Sequence, residues 1–485
     1  MTETLAARDV AVDERRSAVP PPLAPLASAE LLDSASLGLA LAAPELSARR
    51  RLSLAQKALL PAALAALGWS LWRFPRETLH VLAAAAFWLF AALTMWRLLA
   101  AGAAIARLPY PRGHWQDALP VYTILCPLYR EAHMIAPLLA RLGALDYPAD
   151  KLDLKLVLES DDRETLDAAN AMALPAHVEV IATPSGLPRT KPKALNYALK
   201  FARGQFVTIF DAEDAPDPRQ LRAALDAFAE GGEDMGCVQA PLLIDNAPAS
   251  WLATQFAAEY AIQFRGVLPL LARTGRPLML GGTSNHFRAS ALAGCGGWDP
   301  FNVTEDADIG YRLARDGWRS AMIAPATWEE APVGLTPWLR QRTRWLKGHM
   351  QTWLVLMRDP IAVAREMGWL SFAMTQFTLG GAIVSAFAHL PILITLAAAA
   401  ALESIELSWA HWALALAGYC TAAYSAITAA ADLRQPRIAF AALTMPLYWP
   451  LSTLAAAAAV FGILFRPHYW AKTEHGVSPR PDEAL

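Results

Sequence analysis

Cysteine is scarce in this sequence and scattered. Cys126, Cys237, Cys295 and Cys420 are the only four, and none forms a CxxC pair. This argues against a disulfide framework or a zinc cluster and leaves reduced thiols as the default. Net charge is nearly absent as well, since 42 Lys and Arg against 44 Asp and Glu leave −2, with a pI near 6.6. A chain so balanced has no overall attraction for nucleic acid, and that class of function drops out. Neither an internal repeat nor a signal-peptide layout is visible. Charged residues of either sign make up only 18%, whereas hydrophobic residues reach 55% and the mean hydropathy is +0.26. That balance is more apolar than a soluble domain's and puts part of the chain in a bilayer.

The 485 residues suffice for one catalytic-sized domain plus a membrane part. Residues 1–50, rich in Ala, Pro and Leu, read as a mostly disordered cytosolic tail with at most a short amphipathic turn. Apolar runs at 58–72 and 79–96 then predict two transmembrane helices within 51–110. Arg49, Arg50, Arg51 and Lys57 ahead of the first place the N-terminus inside. After Gly348 an amphipathic segment, 351–366, predicts an interfacial helix. The stretches 370–402, 407–430 and 438–465 predict three to four further membrane helices within 367–466, the first being long enough for two. A tail, 467–485, closes the chain. The expected topology is multi-pass, with the domain between the helices in the cytosol.

Between about 111 and 350 the apolar runs shorten and alternate with helical patterns. VYTILC, KLVLE, HVEVIA and QFVTIF are each strand-like, and helical stretches such as EAHMIAPLLARLGAL and KALNYALKFA lie between them. Strand followed by helix, repeated, predicts an α/β domain with a mostly parallel sheet, whose ligands bind beyond the carboxyl ends of the strands. Polar residues gather there: Tyr129, Arg130 and Glu131; Glu159, Asp161 and Asp162; Asp211, Glu213 and Asp214.

Each cluster has a functional and a plain reading. Two carboxylates one residue apart in DAED, Asp211 and Glu213, suit a hard divalent cation, or merely cap the following helix. Of Asp161 and Asp162, one is expected to cap a helix while the other accepts from a nucleoside. Lys191 and Lys193 at a helix start favour an anion, or a solvated face. Thr304, Glu305 and Asp306 open a helix whose dipole favours acidic residues, which is a complete plain explanation; the functional one makes Asp306 a general base. Gly281 and Gly282 mark a turn where backbone can approach a ligand. The stretch VGLTPWLRQRTRWLKGHMQTW, 333–353, sets Arg340, Arg342, Arg344 and Lys347 among Trp338, Trp345 and Trp353. Guanidinium forks and indole faces suit a ligand with both phosphate and sugar, and also a helix lying on an anionic membrane surface.

Taken in order, Asp161 with Asp162, Lys191 with Lys193, DAED, TED and QRTRW before membrane helices, the sequence resembles the membrane-embedded inverting family 2 glycosyltransferases, which include cellulose, hyaluronan and curdlan-type synthases. The resemblance covers about 120–353 and implies a GT-A fold inserted between transmembrane segments. It implies a UDP-sugar donor, with UDP-glucose the first expectation, and Mg2+ or Mn2+ as cofactor. Asp161, Asp162, Glu131, Lys191, Lys193, Asp211 and Arg344 would then bind the donor, Asp211 and Glu213 the metal, and Thr304, Glu305 and Asp306 would form the catalytic motif. Gln341, Trp345 and Gly282 would meet the acceptor, a polysaccharide or a glycolipid. YWAKTEHG at 469–476 looks like a gating loop, which would make Lys472 and Thr473 lid residues. The resemblance also implies a bacterial-type inner membrane as the location. The implied product is a β-linked polysaccharide, exported by the same chain, with the bilayer and accessory proteins of a secretion complex as partners. The alternatives are a single transfer to a lipid and a nucleotide-sugar-binding scaffold subunit.

Overall fold

The computed structural model describes residues 28–105, 108–109, 115–402, 406–433 and 436–470. Three helices precede the sheet: α1 (Ser28–Ala42), α2 (Leu54–Arg73) and α3 (Pro75–Ala104). Ser53 and Gln56 form a reciprocal cap that starts α2, and Pro75 starts α3. Part of the tail expected to be mostly disordered is thus ordered. Burial and a hydrogen bond explain it: Ala35 and Leu39 are buried against the domain, and Asn196 donates to the Ala35 carbonyl at 3.1 Å.

The domain then runs β1 (Tyr122–Leu128), α4 (Ile135–Gly143), β2 (Leu152–Glu159), α5 (Arg163–Asn170), β3 (Val178–Thr183), α6 (Lys191–Leu199) and β4 (Phe206–Ile209). It continues with β5 (Ala215–Pro216), α7 (Gln220–Gly231), β6 (Met235–Gln239), β7 (Leu242–Ile244), α8 (Trp251–Ile262) and α9 (Leu268–Arg273). It ends with β8 (Asn285–Arg288), α10 (Ala289–Gly294), α11 (Glu305–Arg315), β9 (Arg319–Met322), β10 (Thr327–Glu329) and α12 (Leu335–Leu356).

Seven strands form one sheet in the order β3-β2-β1-β4-β8-β6-β9, all parallel except β8, which is antiparallel to both neighbours. The strand runs are apolar at successive positions because both faces are covered. Ile124 belongs to one core with Phe206 and Phe228, and the adjacent Leu125 to the other with Val207 and Trp298. A second, three-stranded sheet, β5-β10-β7, brings Trp328 opposite Ala215, directly after the acidic turn that follows β4.

Beyond α12 lie α13 (Pro360–Met367), α14 (Trp369–Thr375), α15 (Gly381–Ala401), α16 (Trp409–Leu433) and α17 (Pro436–Phe465). The helix expected at 351–366 is divided: α12 carries the Arg and Trp stretch on to Leu356, and α13 starts afresh on Asp359, whose side chain caps it. A wide turn at Gln376–Gly380 joins α14 to α15 without a break. Among the described residues, four helices, Leu54–Arg73, Pro75–Ala104, Trp369–Ala401 and Ile438–Phe465, are long and apolar enough to cross a membrane. Exposed Trp88, Leu98, Leu370, Phe440, Leu447 and Phe461 give them a surface suited to lipid. The domain docks on these helices through α8 and α12. Gln255 donates to the Ala441 carbonyl at 2.9 Å, and the Trp338 indole to the Tyr448 hydroxyl at 2.9 Å.

Candidate active site

A cavity of about 1220 Å³ begins at the carboxyl ends of β1, β2 and β4 and continues between α3, α15, α16 and α17. On the sheet side it is lined by Glu131, Lys191, Asp211, Glu213, Gly282, Thr304, Glu305, Asp306, Gln341, Arg344 and Trp345, so eleven of the predicted site residues share one wall system.

The turn after β4 holds the first acidic group. Asp214, fully buried, accepts the Asp211 backbone N–H at 2.6 Å and the Thr283 hydroxyl, so it shapes the turn. Burial, then Asp211 and Glu213, push its carboxyl well above the usual range, and its Oδ1 has no hydrogen-bond partner among the described residues. Glu329, at the end of β10, is raised likewise by burial and then by Asp214, Glu213 and Asp211. Against these, Lys191 gives an ammonium to Asp211 and donates to the Gly282 carbonyl at 2.9 Å. Its burial favours loss of the proton, but Asp211, Glu305 and Asp306 outweigh that and raise its pKa. Negative charge remains in surplus, and Asp211 with Glu213 fit a hard divalent cation. Among the described residues no three His, Cys, Asp or Glu side chains are arranged to enclose an ion, so much of its shell would come from ligand oxygens and water.

The second acidic group opens α11. Asp306 accepts the Ala307 N–H at 2.8 Å, and its other oxygen faces Gly282, where a Cβ would stand 3.3 Å away. Burial lifts the Asp306 carboxyl above the usual range, against the opposing pull of the Ala307 N–H, Lys191 and Arg344. Glu305 is pushed up to about 8 by burial and then by Asp306. With Glu305 holding its proton at neutral pH, the two adjacent carboxyls do not both carry charge, and Asp306 is the one that faces Gly282.

Helix α12 straps this motif down. Gln351 accepts the Val303 N–H at 3.2 Å, Asn302 donates to Thr352 at 2.8 Å, and Arg344 donates to the Val303 carbonyl at 3.4 Å. Gly348 makes the approach possible, since a Cβ there would lie 2.2 Å from the Thr304 hydroxyl. The Arg344 guanidinium lies 4.7 Å from the Trp470 ring centre, and Trp345 packs against Phe256, Tyr260 and Arg342.

Other predicted residues stand elsewhere. Lys193 is buried and pairs at 2.9 Å with Glu159, which lines the cavity while Lys193 itself does not. It lies two residues from Lys191, on the opposite side of α6. Asp162 caps α5 and accepts the Arg130 N–H, while Asp161 pairs with Arg189 at the rim; neither lines the cavity. Lys347, expected to hold α12 on a membrane surface, is buried and donates to the Tyr469 carbonyl at 2.7 Å and the Arg466 carbonyl at 3.2 Å. Lys472 and Thr473 lie outside the described residues. Sequence reasoning missed Arg189, Glu329, Tyr260 and His349, all of which line the cavity. Only Glu329, the last residue of a short strand, carried a signal.

Residues 120–348 match the family model described as Glycosyltransferase like family 2. The chain is 25% identical over 317 residues to a Beta-monoglucosyldiacylglycerol synthase of Nostoc sp., a match covering 63% of this chain and 66% of that protein. It is 26% identical over 286 residues to the Cellulose synthase 1 catalytic subunit of Komagataeibacter xylinus, covering 56% of this chain and 36% of that one. The chain thus spans about two thirds of the length of the first relative and about a third of the second. Among solved structures, a mannosyltransferase from Pyrobaculum calidifontis in complex with GDP-Man and Mn2+ aligns with TM-score 0.44 and 21% identity, over 78% of this chain and 99% of that one. Residues 120–348, which match that family model, thus form a mixed, mostly parallel sheet domain of the GT-A-like type, flanked by apolar helices able to span a membrane.

Proposed function

We propose that the protein is an inverting glycosyltransferase that moves a hexose from a UDP-sugar to an acceptor entering from the bilayer. The observation that carries this reading is the single cavity joining the acidic strand ends to the apolar helices. The donor pyrophosphate lies near Lys191, Asp211 and Arg344. Asp211 and Glu213 would hold a divalent cation, which when bound would supply Lewis-acid stabilisation of the leaving diphosphate. Asp306 accepts the proton of the acceptor hydroxyl, whose oxygen attacks the anomeric carbon as the bond to the phosphate oxygen breaks. Lys191 and Arg344 offset charge on the departing nucleotide. One displacement turns an α-linked donor into a β-linked product.

A lipid acceptor receiving a single sugar suits the membrane side of the cavity, where Leu346, Ala382, Ala386, Ala422 and Met445 form apolar walls. The Nostoc relative's name, a glucosyldiacylglycerol synthase, agrees with that. The second reading, extension of a polysaccharide, is favoured by the rings of Trp345 and Trp449 in the same walls and by the cellulose synthase relative. The test is nucleotide release by the purified full chain in lipid vesicles with a panel of UDP-sugars, followed by chromatography of the product. Metal-dependent release with one donor and a mobile glycolipid supports the first reading, and material retained at the origin supports the second. No turnover with any donor contradicts both.

A further inference from the structure

The membrane end of the cavity holds ionisable groups that the reaction does not use. Arg97 on α3 and His389 on α15 both line it, each about two helical turns, roughly 10–12 Å, from a point where its helix meets the domain, the end of α3 and the wide turn ahead of α15. Both points are fixed: Arg273 donates to the Ala103 carbonyl at 2.9 Å, and Gly380 abuts Trp353 of α12. The two side chains therefore share one depth within helices long enough to cross a membrane. Ionisable groups at such depth are costly and mark a ligand or a path.

Arg97 has no hydrogen bond or ion pair with any described residue. It lies within electrostatic reach of Glu259 and of His389. Glu259, however, is already engaged, pairing with Arg342 and accepting the Tyr448 hydroxyl at 2.7 Å. One positive charge is left over, aimed into the cavity. The His389 ring stacks on Trp449, 5.5 Å between centres, and its Nδ1 is buried with no partner among the described residues. Ser385 and Ser452 complete a polar patch amid alanines. A guanidinium fork and an imidazole N–H without protein acceptors, surrounded by apolar helix, match an oxyanion carried by an amphiphile.

We propose that Arg97 and His389 form a subsite for the anionic headgroup of the lipid acceptor, a phosphate or carboxylate within reach of the bilayer, with the reacting hydroxyl directed toward Asp306. The subsite rests on the lipid reading above but is testable apart from it. The full chain, stripped of lipid in detergent, is exposed to equal amounts of palmitoyl-oleoyl phosphatidylglycerol and the matched diacylglycerol, and bound lipid is read by native mass spectrometry. The wild type is expected to retain the anionic lipid at least tenfold over the neutral one. Arg97→Gln, melting like the wild type, should bring that ratio to within twofold, and Arg97→Lys should restore part of it. His389→Phe, which keeps the stacking and loses the N–H, should fall between. An unchanged ratio in Arg97→Gln overturns the subsite. Displacement of the lipid by millimolar glycerol 3-phosphate also overturns it, reassigning the charge to a soluble oxyanion. With UDP-sugar added, glycosylation of the bound anionic lipid supports the acceptor role. Transfer to the neutral lipid alone overturns that role. If nothing is glycosylated, the proposed activity fails while the adduct ratio still decides the subsite.

Discussion

The two acidic groups of the site face the same cavity and share one cation, Lys191, yet they are built for different work. After β4, Asp211, Glu213, Asp214 and Glu329 crowd together with one ammonium between them, and the carboxyls of Asp214 and Glu329 are pushed far up. At the start of α11, Glu305 and Asp306 are only two, held by a backbone N–H and pinned by α12. On the proposed function, the surplus charge of the first group would draw a cation. The second can share one proton and leave a lone carboxylate. Number of carboxylates and nearness of donors, rather than residue type, would then separate the proposed binding group from the proposed proton-moving one.

Several substitutions break that comparison, in falling order of effect. Asp306→Asn is expected to lower turnover by about 10²–10⁴-fold, measured as nucleotide release, since it removes the proton acceptor and leaves the turn after β4 intact. Asp211→Asn should raise the half-saturating Mn2+ concentration by about 10–100-fold, measured by metal titration at fixed donor. Gly348→Ala forces a methyl into the Thr304 hydroxyl and should cost about 1–3 kcal/mol, read as a lowered melting temperature together with lost activity. The smallest effect is one of pH. Glu305, ordinarily near 4.5, rises to about 8 in the fold, so the folded state binds more protons across that window. Its contribution to stability is full below 4.5 and is lost as pH rises through about 8. Glu305→Gln should flatten this slope in melts recorded from pH 5 to 9. A slope identical to wild type would contradict the assignment of the proton to Glu305.

Much of the domain was legible because its signals are local. Apolar runs of strand length between helical periods predicted β1 to β4 and their helices, and the acidic residues at strand ends marked the cavity's floor. What was illegible depended on rotation or on distant pairing. Nothing local says that Lys191 turns to Asp211 while Lys193 turns to Glu159, or that Asp161 faces the rim while Asp162 caps α5. Glu329 reaches the acidic turn only because β10 pairs with β5, more than a hundred residues earlier. Lys347 was read as a surface cation because its acceptors, carbonyls at 466 and 469, belong to a segment that returns after the last helix. Arg97 and His389 look like isolated irregularities in apolar runs until the helices are assembled.

The division of labour between the two acidic groups is tested most directly by measuring UDP-sugar affinity and turnover together in Asp306→Asn. The account predicts a dissociation constant within about threefold of wild type beside turnover reduced by at least about 100-fold. Loss of affinity in proportion to turnover would contradict it, because Asp306 would then belong with the donor-binding group rather than with the acceptor's proton.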